Sequence, residues 1–171
     1  GGFLPLVPEK IRILEMGALG ELFEINRKNA RSVILKRYLL KNPFRCFGLF
    51  PHLMKIKRAE NPERRSFAAN RMWLSMMEKM PDFPGEYDIA LAYWGDRTMF
   101  YMIDKVHAKR KIAWLHFDYS RPPREDALYR EYFRRCDKVV TVSTEIEKSL
   151  KAALPDVADR VVTIENIINK E

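Results

Sequence analysis

From Gly85 onward the chain alternates, and that alternation constrains its fold more than any other feature. Four short apolar runs, Tyr87–Tyr93, Lys111–His116, Lys138–Val142 and Arg160–Ile164, are rich in Val, Ile and aromatic residues. They show little polar alternation, the pattern of strands buried on both faces of a parallel sheet. Helical stretches separate them at Arg97–Ala108, Pro123–Arg135 and Thr144–Leu154. The last opens on Ser143 or Thr144 as a cap with Glu147 just behind. This rhythm predicts the α/β class: a Rossmann-like open, mostly parallel sheet of about four to five strands flanked by helices.

The part before Gly85 has a different texture, long, basic and helical. Lys10–Leu14 reads as a strand, broken by Gly17–Gly20, and Leu22–Leu40 reads as one helix. Pro43, Gly48 and Pro51 interrupt the stretch after it. Asn61-Pro62-Glu63 then opens a helix to about Met80, with proline suited to the first turn. Met72, Trp73, Met76, Met77 and Met80 recur at helical spacing, as core residues do. Pro81, Pro84 and Gly85 close that helix. A length of 171 residues suits one domain, and 47% apolar with 32% charged residues describes a soluble globular chain.

The net charge of +8 is concentrated in one place. Arg27–Arg58 holds ten basic residues and no acidic one, and the remainder holds 21 basic against 23 acidic. Interleaved with Tyr38, Phe44, Phe47 and Phe50, these cations suit an anionic membrane surface. They equally suit two ordinary helices with a solvated face. Cys46 and Cys136 lie far apart outside any CxxC pattern, which argues for reduced thiols in a cytoplasmic protein, peripheral on the membrane at most. No apolar run is long enough to span a bilayer.

In a parallel sheet the ligand crevice lies beyond the carboxyl ends of the strands. Four loops meet that condition: Trp94-Gly95-Asp96-Arg97, His116-Phe117-Asp118-Tyr119-Ser120-Arg121, Ser143-Thr144 and Glu165-Asn166. His116 could hydrogen-bond a sugar hydroxyl or a phosphate, or merely a loop carbonyl. Asp118 could orient His116, contact an acceptor, or cap its own turn. Ser143 fits an N-cap as well as a ligand. Trp94 and Gly95 could let backbone approach a ligand, with Trp94 equally suited to the core. Asn166 fits a turn. His52 and His107 are expected to face solvent. No Walker A, GxGxxG, HExxH or nucleophile-elbow pattern occurs, and no metal site is expected.

The strand YDIALAYWGD, the run KRKIAWLHFDYS, the block YREYFRRCDKVVTVSTEIEKSL and the ending RVVTIENIINKE succeed one another within Tyr87–Glu171. As a set they resemble the later part of the N-terminal domain of glycosyltransferase family 4 and related retaining GT-B enzymes. The resemblance implies that 1–171 is a single α/β domain lacking its first β-α-β unit and a C-terminal nucleotide-sugar domain. It implies sugar transfer from a UDP- or GDP-sugar to a polysaccharide or lipid-linked acceptor, without a metal and with no other cofactor. It places His116 toward the donor sugar, the helix end after Ser143 beside the cleft, and Asn166 at the crossing to the second domain. Ile167-Ile168-Asn169 comes after Asn166 where relatives carry Gly-Val-Asp. A fragment of this kind is expected to show no turnover alone. A non-catalytic subunit of a split glycosyltransferase is the alternative. A basic nucleic-acid-binding module is another, though no recognition motif for nucleic acid is present.

Overall fold

The computed structural model describes residues 7–14, 50–78, 80–121 and 123–166. The chain is α/β, with a four-stranded, all-parallel open sheet in the order β1-β2-β3-β4. Helix α1 (Phe50–Arg58) and helix α2 (Pro62–Glu78) precede the sheet. Strand β1 (Phe83–Ala92), helix α3 (Asp96–Lys105), strand β2 (Val106–Leu115) and helix α4 (Asp126–Arg134) come next. Strand β3 (Lys138–Thr141), helix α5 (Thr144–Ala153), a 3-10 helix (Pro155–Arg160) and strand β4 (Val161–Thr163) complete it.

Each element has a local cause. The Asn61 side chain accepts a hydrogen bond from the Arg64 amide at 2.8 Å, so α2 starts where its cap and proline place it. Pro51 sits in the first turn of α1 and opens that helix instead of interrupting it. Lys10–Leu14 is not a strand. The Ile11 amide turns back to the Pro8 carbonyl at 2.9 Å, and Ile11, Ile13 and Leu14 stand exposed with no ladder partner among the described residues. Leu22–Leu40, Cys46 and the basic residues 27–45 lie outside the described residues.

Two strands begin earlier than their apolar runs. β1 starts at Phe83 and carries Pro84 and Gly85 inside it, with a register shift between Phe83 and Glu86. Such residues are tolerated at an edge or a bulge, and β1 is an edge strand among the described residues. β2 starts at Val106, directly after α3, and its first half pairs with β1 alone. There the ladder is held by polar pairs, Lys109 to Asp88 at 2.7 Å and His107 to Asp82 at 3.2 Å.

The strands advance in one direction, and right-handed crossovers put α3, α4 and α5 on one face of the sheet. That face holds the core. Ala92, Ala113, Val139 and Val161 form one register row, each buried, under Phe100, Phe133 and Leu150 from the three helices. The Met-rich stripe of α2 joins the same core: Met72, Trp73, Met76 and Met77 are buried and Met80 packs against them. On the other face, Ile89 and Leu91 of β1 and Tyr93 just beyond it are 59, 48 and 59% exposed. Cys136 is buried, which pushes its thiol up to about 12. No helix among the described residues is long and apolar enough to cross a membrane.

Candidate functional site

The four strand-end loops separate into two kinds. Those after β3 and β4 are closed by internal bonds. Ser143 Oγ accepts from the Ile146 amide at 3.3 Å, the capping role. Buried Thr141 and half-buried Thr163 share a hydroxyl hydrogen bond at 2.9 Å. Thr163 Oγ1 donates on to Glu147, which holds Lys151 at 2.5 Å. Asn166 is exposed beyond β4.

The loops after β1 and β2 leave a crevice of about 460 Å³ between them and the amino-terminal half of α2. Gly95 makes it possible. Its φ of 75° and the φ of 45° at Asp96 turn the chain sharply from β1 into α3. A Cβ on Gly95 would lie 2.6 Å from Leu115 Cδ2 and 3.1 Å from the Phe117 ring. Ser66 and Asn70 line one wall, and Trp94, Asp96, Thr98 and Arg124 line the other. Hydroxyl, amide, carboxylate and guanidinium groups therefore converge at the amino end of α3, where backbone N–H groups face outward.

Arg124 fastens the two loops together. Its side chain is only 7% exposed. Nη1 donates to the Asp118 carbonyl at 3.0 Å and the Tyr119 carbonyl at 2.9 Å. Nε reaches Asp96 at 3.4 Å, and the guanidinium lies 3.9 Å over the Phe117 ring. Tyr129 donates its hydroxyl to the same Asp96 carboxylate. Burial, then the Asp96 charge, raise the Tyr129 phenol well above its ordinary range, so it remains a donor. Asp96, Arg124 and Tyr129 are the site residues that sequence alone does not single out.

His116 does not line this crevice. It stands next to Trp114 on the open face of the sheet and joins an aromatic stack. The Trp94 ring lies 5.9 Å away at 7°, Trp114 6.4 Å away at 14°, and Tyr93 4.5 Å away at 51°. Its Nε2 is shielded and has no hydrogen-bond partner among the described residues. Trp94, 57% exposed, is shared by the stack and the crevice.

Asp118 does not bond to His116. Its carboxylate accepts from the Ser120 amide at 2.9 Å, the Ser120 hydroxyl at 2.8 Å and the Ser149 hydroxyl at 2.9 Å. It thus closes its own turn and ties that turn to α5. The Ser120 bonds, with Ser149, hold its pKa below the ordinary 3.8. A lowered carboxyl pKa stabilises the fold fully above pH 3.8 and loses that contribution as pH falls below it. Asp118→Asn is therefore expected to flatten part of the acid limb of a stability-against-pH curve. Urea midpoints measured on both proteins from neutral pH down to pH 3 check this, and parallel curves would contradict it.

His107 faces solvent as expected, but His52 does not: it is half-buried, with Nδ1 shielded and unpartnered among the described residues. No group of three or more His, Cys, Asp or Glu among the described residues could hold a metal ion. The described strands contain no reversal of order, so the usual crevice at a switch point has no place inside them. The open crevice instead lies at the carboxyl end of β1, the edge of the described sheet. Comparison with family models, with curated proteins and with solved structures returns no match to this chain.

Proposed function

We propose that this chain is the acceptor-side domain of a glycosyltransferase. It would bind a saccharide or lipid-linked acceptor while a second domain grips a nucleotide-sugar. The observation that carries the proposal is the crevice at the carboxyl ends of β1 and β2, with Ser66, Asn70, Asp96 and Thr98 beside exposed Trp94. Sugar rings present this combination of needs: hydroxyls that bond to small polar groups, and apolar ring faces that lie on an indole. The order of strand-end motifs, which resembles that of family 4 enzymes, supports the same choice. In it, His116 acts through the stack that sets the Trp94 ring, Asp118 and Ser143 hold the loops, and Asn166 leads toward the second domain. Leaving-group stabilisation would come from basic side chains and helix amino ends. The cations of Arg27–Arg58 would hold the protein at an anionic membrane face, on the cytoplasmic side.

Trp94 supplies the test. Titrating the 171-residue chain with oligosaccharides and with UDP- and GDP-sugars is expected to shift tryptophan emission saturably for the acceptor class. Trp94→Phe is expected to abolish that shift while leaving far-UV circular dichroism unchanged. No saturable change with any saccharide at millimolar concentration, or an equal change in the variant, would overturn the proposal.

A further inference from the structure

A second concave site lies on the far side of α2 from the crevice. The helices α1 and α2 form a hairpin with a cleft of about 630 Å³ between them. His52, Lys55 and Arg58 run along one face of α1 at spacings of three residues, and Arg64 and Arg71 face them from α2 at a spacing of seven. We propose that this cleft binds a phosphate-bearing ligand, a diphosphate in preference to a single phosphate.

Charge, hydrogen bonding and shape each support this. Four permanent cations line the cleft against one carboxylate, that of Glu125. Both Glu125 oxygens are already occupied by Arg71, whose Nη2 lies at 2.5 Å and Nε at 3.1 Å from them. That pair fixes the Arg71 fork in place at the cleft floor and further secures its charge. Lys55 and Arg58 form no ion pair with any described residue. Among the described residues the Arg64 side chain pairs with Glu60 alone, at 3.8 Å, with both side chains well exposed. His52 Nδ1 is shielded and has no partner among the described residues. Burial lowers its pKa, and the neighbouring charges of Lys55 and Arg71 lower it further. A ligand with several anionic oxygens would meet the Lys55, Arg58 and Arg64 cations together, and arginine forks match phosphate oxygens in pairs. The cations line one open cleft with room for more than a single phosphate group, and Lys57 on the same helix does not line it.

The crevice and the cleft have different linings, so the ligand of one does not depend on that of the other. The test uses inorganic pyrophosphate, followed by calorimetry and by the imidazole resonances of His52. Saturable binding is expected. The double substitution Lys55→Gln, Arg58→Gln, on exposed positions, is expected to weaken it at least about tenfold with unchanged circular dichroism. Lys57→Gln should leave it within about twofold. Adding phosphatidylcholine vesicles with and without phosphatidic acid identifies the source. Displacement of pyrophosphate by the anionic vesicles alone assigns a lipid headgroup, and no displacement assigns a soluble diphosphate. Both support the cleft. Absence of saturable pyrophosphate binding, or equal affinity in the double variant, overturns it. So does tight binding of a DNA duplex that Lys57→Gln weakens as much as the double substitution, since a flat cationic face would then explain the charge.

Discussion

Gly95→Ala is expected to destabilise the domain by about 3–5 kcal/mol. Two separate costs add. The backbone at Gly95 has φ 75° and ψ −155°, a region that side-chain-bearing residues scarcely enter. The new methyl would also lie 2.6 Å from Leu115 Cδ2, and Leu115 is fully buried in the core. The leucine cannot yield without moving its neighbours, because the interior is close-packed. The Gly95 carbonyl also accepts from the Thr98 hydroxyl at 2.6 Å, so relaxing the turn would undo the start of α3. Chemical denaturation followed by circular dichroism measures the loss. A change below about 1 kcal/mol would show that the β1–α3 turn is far more adaptable than its geometry indicates.

Arg124→Met is expected to cost about 3 kcal/mol, or roughly 10 °C in Tm for a chain of this size. Methionine retains much of the contact with Phe117, so the loss reports on the bonds. The carbonyls of Asp118 and Tyr119 lose their shared donor, and Asp96 keeps Tyr129 but loses its guanidinium. Arg124→Lys restores the charge without the fork and is expected to recover less than half of the stability. Differential scanning calorimetry of the three proteins decides it. Equal melting of Arg124→Met and the parent would mean that the two loops hold each other without this residue.

The sequence and the structure agree where information is local. The cores of all four strands after Gly85 are legible because each is a short apolar run, and α2 is legible because Asn61 and Pro62 start it. The longer reach of β1 and β2 is not. Phe83–Glu86 and Val106–Arg110 are extended because they belong to the β1–β2 ladder, and neither segment's composition carries that fact. Lys10–Leu14 has strand-like residues and no strand to join among the described residues. The same divide holds at the site. Trp94 and Gly95 are found by standing just past an apolar run. Asp96, Arg124 and Tyr129 meet from positions 28 and 33 residues apart, a convergence created only by the parallel crossovers. The basic character of α1 can be read from its letters, but the concavity it shares with α2 cannot.

The bare face of β1 bears on how the protein behaves as a solute. Its outer edge has no ladder partner among the described residues, and an apolar hollow of about 480 Å³ runs along it past Tyr101 and Met102. An open edge beside an apolar face is the geometry on which one sheet recruits another. The net charge of +8 opposes such encounters between copies. That repulsion reaches only about 10 Å at 0.1 M salt and about 3 Å at 1 M. If that edge is free, ionic strength is expected to govern the colloidal lifetime of the protein: dilute buffer would keep copies apart, whereas concentrated salt would let their edges meet.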